Sequence, residues 1–373
     1  MNIAAINFFP FHYEMLGYII NYCCDKNARL QRNANTYETQ YVNLTIYTET
    51  AHNFQWLYFY KLHFLNKLKF DFKYKPLHLV QPNLNNHDCI FIPTDDDLSV
   101  SSAWITPENK NKFICIQHYF MMRNPIYNHY IALRPYDNSV SPFVNWALPC
   151  YPIINLEEKQ QIVRNNALND EISNTINIVV LGGIREKYNS TTINRLFSVS
   201  NKNIVLHIVA TYLSEENLDI LRNSLSNHIT LNTHKGGGVE TTELVQLITN
   251  SDYVLLDVTA NKDHVTRSMS GCIPLAFSCL TQLIISKRMN SFYKFKNAVE
   301  YDMDNAFPIL LPKDCDYHQL HLERQQLVLQ FTNYVDTCID SYQPNGDAGK
   351  INTALIVEPR KLRDLPIVIS KFK

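Results

Sequence analysis

The sequence has almost no excess of either charge: 34 Lys+Arg face 35 Asp+Glu, for a formal net charge of -1. A chain that grips nucleic acid by neutralising phosphates needs a basic surplus, so nucleic acid is excluded as the expected partner. The nine cysteines include no C-x-x-C pair, and an odd number does not close a disulfide framework. Reduced thiols are the expectation, several of them in apolar runs where cysteine acts as a small hydrophobe. No apolar run is long enough to span a bilayer, and the start, Met1-Asn2-Ile3-Ala4, lacks a basic segment leading into one. The absence of a transmembrane segment and a cytoplasmic location follow as expectations. Internal repeats and low-complexity tracts are also missing.

What is present suffices for two folded bodies. The 373 residues exceed one typical domain of roughly 100–200 residues, and 46% hydrophobic against 18% charged residues leaves ample core. Ile3–Ile6 reads as a strand, a loop with Pro10 follows, and Leu16, Ile19, Ile20 and Cys23 repeat at helical spacing. Val42–Tyr47 is a second strand, Phe54–Leu68 an aromatic-rich helical stretch, and Leu77–Val80, Cys89–Ile92 and Phe113–Ile116 are further short strands. Four prolines (Pro135, Pro142, Pro149, Pro152) between Arg134 and Ile154 mark a linker, since neither helix interiors nor central strands tolerate such a density.

The second half alternates more regularly. Ile178–Leu181, Ile204–Val209, Ile229–Leu231 and Tyr253–Leu256 read as strands, separated by helices that bury Ile193, Leu196 and Phe197, then Leu218, Leu221 and Leu225, then Leu244, Leu247 and Ile248. Ile273–Phe277 and Leu283–Ile285 are expected to complete that sheet. A stripe of Leu320, Leu327, Phe331, Tyr334 and Cys338 predicts a long outer helix from about Tyr317 to Ile339. The fold class is therefore α/β, with two Rossmann-like domains at 1–150 and 151–312 and a C-terminal helix and tail at 313–373.

Ligands of open parallel sheets bind outside the carboxyl ends of the strands. In the second half those loops hold Gly182, Gly183, Arg185 and Lys187, then Thr211, then His234, Lys235 and Gly236, then Thr259, Lys262 and Ser270. Glycines let backbone amides approach an anion and the cations neutralise it, which suits a nucleoside diphosphate. Tight turns and solvated cations are the structural alternatives. Neither a G-x-G-x-x-G fingerprint nor a Walker A loop is present. In the first half, His12 and Glu14, Asp95 and Asp97, and His118 follow strands and are candidate general bases. Asp95-Asp96-Asp97 also reads as a cation ligand or as a solvated helix start, and the two histidines as structural, hydrogen-bonded ones. Trp56, Tyr58, Phe59 and Tyr60 would stack on a sugar or pack in the core.

The run Leu181-Gly182-Gly183-Ile184-Arg185-Glu186-Lys187, the loop Thr233–Gly238 leading into a helix, and Ser268-Met269-Ser270-Gly271-Cys272-Ile273-Pro274-Leu275-Ala276-Phe277-Ser278 together resemble the donor-binding half of GT-B glycosyltransferases. The resemblance covers about Ile176–Asp302. It implies two domains facing across a cleft, a nucleotide-sugar donor in the second, a glycan or other hydroxyl acceptor in the first, and Arg185 and Lys187 against the diphosphate. No cofactor and no essential divalent cation are expected. One departure is plain: the paired glutamates of many retaining members have no counterpart in Thr259–Ser270. A sugar-nucleotide epimerase and a non-catalytic nucleotide-sugar-binding module remain as alternatives.

Overall fold

The computed structural model describes residues 1–8, 13–33, 41–49, 54–94, 103–117, 127–135, 145–168, 174–181, 190–210, 215–235, 239–256, 270–302 and 315–341. The first half is a parallel sheet of β1 (Asn2–Asn7), β2 (Asn43–Thr48), β3 (Lys73–Lys75), β4 (Cys89–Ile92), β5 (Phe113–Gln117), β6 (His129–Ala132) and β7 (Asn145–Trp146), in the order β3-β2-β1-β4-β5-β6-β7. The second is a parallel sheet of β8 (Thr175–Leu181), β9 (Asn203–Ala210), β10 (Ile229–Lys235), β11 (Tyr253–Leu255), β12 (Gln282–Ser286) and β13 (Val299–Tyr301), in the order β10-β9-β8-β11-β12-β13. Both are Rossmann-like. In each, the strand order reverses beside the first strand, between β1 and β4 and between β8 and β11, and there the ends of two crossovers part to leave a crevice.

Helices pack on both sheets. In the first half these are α1 (Leu16–Asn33) and α2 (Phe54–Leu62); α3 (Leu156–Ala167) follows the proline-rich stretch. In the second they are α4 (Ser190–Leu196), α5 (Glu215–Ser224), α6 (Thr241–Asn250), α7 (Cys272–Ser278) and α8 (Lys287–Tyr293). The chain's long helix, α9 (Tyr317–Asp340), lies where the stripe placed it. One apolar cluster runs from Ile3 and Leu16 of the first half through Phe331 of α9 to Ile273 and Ile285 of the second.

Two expected strands are not strands. Ile273–Phe277 lies inside α7, six of whose seven residues are buried. A helix apolar on every side shows no 3.6-residue stripe and reads as a buried strand, while Pro274 in its first turn forfeits no intrahelical bond. Leu77–Leu79 is a 3-10 turn continued by an α-turn at Val80–Asn83, launched from Pro76 in extended conformation. Conversely, β3, β6, β7 and β13 were not anticipated, and β13 rather than Leu283–Ile285 ends the second sheet. β3 is a lysine-flanked edge strand, and β7 is a two-residue edge strand within the proline-rich stretch.

The last helix ties the halves together. Its first turns serve the second half: the Glu323 carboxylate accepts from the amides of Lys296 and Asn297 at 2.8 and 3.2 Å. Buried Arg324 donates to the carbonyls of Ile154 at 2.8 Å and Ser278 at 3.1 Å. Its last turns serve the first half, where Phe331 meets Tyr18 edge-on at 4.6 Å and Tyr334 donates to the carbonyl of Tyr130 at 2.9 Å. Asp336 gathers three donors from α1: Tyr22 at 2.8 Å, Lys26 at 2.7 Å and Arg29 at 2.6 Å. Burial pushes the Asp336 carboxyl up, but these donors outweigh it and hold the group below the ordinary carboxylate range. Asp336→Ala strands two cations and a phenol, and should cost about 2–4 kcal/mol in urea unfolding at neutral pH. In the wild type this contribution is complete above the ordinary aspartate value near 3.9 and fades as pH falls through the depressed one, so the difference between the two proteins should shrink in acid.

Candidate functional site

The carboxyl ends of both sheets define the site. In the first half the strands beside the crevice are apolar along their lengths and polar at their ends. β1 closes on Asn7, register partner of Thr48 at the end of β2. β4 ends at Ile92, paired with Cys115 of β5, and Thr94 follows two residues on, while Gln117 is the last residue of β5. Asn7, Thr94 and Gln117 are 1%, 1% and 3% exposed. Both side-chain polar atoms of Asn7, the Thr94 hydroxyl and the Gln117 Oε1 have no hydrogen-bond partner among the described residues. Leaving a buried polar atom unpaired costs about 1–3 kcal/mol, so such groups gather where a ligand completes them. None of the three was singled out from sequence. The available signal was a polar residue closing each of three apolar runs on adjacent strands.

Around this floor stand other groups. Glu14 precedes α1 in a 3-10 turn, Tyr13–Met15, where a carboxylate favours a helix start, and the Tyr60 hydroxyl donates to its carbonyl at 2.9 Å. Thr48 donates to the Tyr13 hydroxyl at 3.0 Å. Arg134, just past β6 and 1% exposed, lies 4.8 Å from the Phe292 ring and 5.9 Å from that of Tyr293, a cation-π contact that joins the first half to α8 of the second.

In the second half, Ser270 is 9% exposed and its hydroxyl accepts from the Cys272 amide at 3.4 Å as α7 begins. The Cys272 thiol donates to the Leu181 carbonyl at 3.1 Å, which fixes the start of α7 against the end of β8. Lys235 closes β10, and His234 before it turns its ring to His207 of β9. Of the residues proposed from sequence, His234, Lys235, Ser270 and Glu14 are thus placed at or beside the carboxyl ends. His12, Asp95, Asp97, His118, Gly182, Gly183, Arg185, Lys187, Thr211, Gly236, Thr259 and Lys262 lie outside the described residues. Phe59 and Tyr60 are buried and Trp56 packs on both rings, so these three aromatics serve the core, whereas Tyr58 is 54% exposed.

Among the described residues, no group of three or more His, Cys, Asp or Glu side chains is arranged to hold a metal ion. No helix among them is long and apolar enough to cross a membrane.

No family model and no curated protein matches this chain in sequence. Solved structures do match in fold. The crystal structure of Anabaena HepE in complex with UDP-glucose superposes with a TM-score of 0.55 over 92% of this chain and 100% of that one, at 10% identity. AviGT4, a glycosyltransferase involved in Avilamycin A biosynthesis, gives 0.49 over 91% and 97% at 10% identity. UDP-N-acetylglucosamine 2-epimerase from Rickettsia bellii gives 0.42 over 91% and 97% at 12% identity. Identities this low establish shared architecture and nothing finer.

Proposed function

We propose that this chain, which has the GT-B fold, transfers a sugar from a nucleotide-sugar donor held by its second half to a hydroxyl acceptor held by its first. The observation that carries the proposal is the buried, unpartnered trio Asn7, Thr94 and Gln117. Transfer needs a polar acceptor site besides the donor loops, and the trio offers one at the carboxyl end of the first sheet; the acceptor dependence tested below separates transfer from epimerisation or mere binding. The donor expected first is a uridine diphosphate hexose, the ligand class bound by HepE. In this reading Arg185, Lys187 and backbone amides near Gly182, Gly183 and Gly236 meet the diphosphate, with Thr211, His234, Lys235, Thr259, Lys262 and Ser270 around the donor. Positive charge stabilises the leaving group, so no divalent cation is required. Asp95, Asp97, His118, His12 or Glu14 takes the acceptor proton.

The test is turnover of UDP-sugars, followed by mass spectrometry, with and without a panel of sugar acceptors and with a chelator present. Acceptor-dependent product that persists under chelation is the expected result. A new nucleotide sugar formed without acceptor identifies an epimerase, and binding without turnover a non-catalytic module. Arg185→Ala with Lys187→Ala should abolish donor turnover; unchanged turnover would remove them from the donor site. Thr94→Val with Gln117→Leu should raise the acceptor KM by about 10–100-fold, the equivalent of one or two lost hydrogen bonds, and leave donor affinity unchanged.

A further inference from the structure

On the second sheet, β8, β9 and β10 carry a polar track that crosses one face diagonally. His207 sits in mid-strand on β9, level with Val179 of β8 and Asn232 of β10. Its two diagonal neighbours on the same face are Asn177, level with Val205, and His234, level with Val209. All three are half-buried. Nε2 of His207 lies 3.2 Å from Oδ1 of Asn177, and its Nδ1 lies 3.3 Å from Nε2 of His234.

These contacts define a donor and acceptor pattern. An amide oxygen only accepts, so Nε2 of His207 carries the proton and Nδ1 turns its lone pair toward His234. The 3.3 Å separation is long for an imidazole hydrogen bond, beyond the ~2.9–3.0 Å usual for N-H donors. It matches another geometry: two imidazole nitrogens at about 2.0–2.1 Å from one tetrahedral zinc stand roughly 3.3–3.4 Å apart. A metal-bound histidine characteristically donates its other N-H to a carbonyl or carboxylate, which orients the ring, and Asn177 supplies that acceptor.

We infer that His207 and His234 form a two-histidine site for an imidazole-preferring divalent cation such as Zn2+ or Cu2+, with Asn177 as its orienting neighbour and water in the open positions. Partial exposure lets the ion keep those waters. Imidazole selects copper and zinc over magnesium or calcium, which prefer oxygen. The site shares His234 with the donor surroundings proposed above, but its occupancy is read by metal binding alone, so it stands or falls apart from donor turnover.

The experiment is equilibrium dialysis of the full chain against Zn2+ and, separately, Mg2+, with wild type, His234→Gln and Asn177→Leu compared after far-UV circular dichroism establishes that each is folded. Wild type should bind one more zinc ion than His234→Gln and show no saturable magnesium binding, and Asn177→Leu should bind zinc about 10–100-fold more weakly. Electron paramagnetic resonance of wild type with one equivalent of Cu2+ should show coupling to two nitrogens, which keeps the inference testable if a variant misfolds. Equal zinc stoichiometry and affinity in wild type and folded His234→Gln, or copper spectra without nitrogen coupling, would overturn it and leave the pair as an imidazole-imidazole hydrogen bond.

Discussion

Gly17→Ala is expected to destabilise the protein by about 3 kcal/mol or more, although alanine is the better helix former by about 1 kcal/mol. Gly17 lies in the first turn of α1, and a Cβ built there falls 2.5 and 2.9 Å from ring carbons of Tyr151, and nearer still to a third. The ring has no room to yield. Tyr151 is 2% exposed, with Tyr60, Phe64 and His63 rings at 6.0, 5.7 and 6.2 Å. Its backbone is held too, because the Tyr151 amide donates to the Ser278 hydroxyl at 3.2 Å. A side chain at Gly17 therefore presses on the strap between the halves. The decisive measurement is a double-mutant cycle with Tyr151→Ala: once the ring is gone, Gly17→Ala should become neutral or favourable. A stabilising Gly17→Ala in the wild-type background would show that the close approach is absent.

Alkaline pH should be the second large lever. All nine cysteines carry thiols, and eight are buried. Burial pushes the Cys279 thiol up to about 11 and those of Cys24, Cys150, Cys315 and Cys338 to about 12, with Cys23 and Cys89 raised as well. The unfolded chain loses these protons near 8.5 while the folded chain keeps them. The unfolded state thus binds fewer protons, and stability falls as pH rises. Each such thiol removes up to ~1.4 kcal/mol per pH unit between about 8.5 and its raised folded value. Lys159 opposes this. Its ammonium, 1% exposed and bonded to the Thr249 and Ser251 carbonyls, is pushed down to about 8 by burial, so it adds stability from about pH 8 to the free lysine value near 10.4. One lysine does not offset seven thiols. Guanidinium midpoints in the presence of reductant should be level to about pH 8 and fall steeply by pH 10. A midpoint unchanged to pH 10.5 would contradict the burial of these thiols, and an onset delayed to about pH 10 would point to the tyrosines instead.

How much of this was readable depended on whether a pattern is local. The second sheet was legible because its strands β8, β9, β10 and β11 are apolar runs separated by amphipathic helices, and α9 because its stripe persists over about five turns. α7 defeated the same reasoning because burial on every side erases periodicity. β3 and β7 were missed because pairing, not composition, makes them strands: Lys73–Lys75 aligns on Thr45–Tyr47, and Asn145–Trp146 on Ile131–Ala132. The resemblance to GT-B proteins was legible in the second half and its architecture holds for the whole chain. The floor of Asn7, Thr94 and Gln117 was not, since what distinguishes these residues is a missing partner in three dimensions. His234 was placed beside the donor loops from sequence, yet its pairing with His207 depends on a diagonal across two strands.

The return of α9 to the first sheet also has a consequence for synthesis. Phe331 packs against Tyr18, Tyr22 and Phe91 of the first half, and Gln330 donates to the Trp146 carbonyl at 2.7 Å. When Trp146 leaves the ribosome, the first sheet has all its strands and lacks part of its core. Phe331 follows only after a delay of roughly 10–40 s at about 5–20 residues per second. Over that interval Tyr18, Tyr22 and Phe91 lack the ring that packs on them in the folded chain. The first half therefore reaches its final stability only after α9 has been made and has docked Phe331 against these three rings.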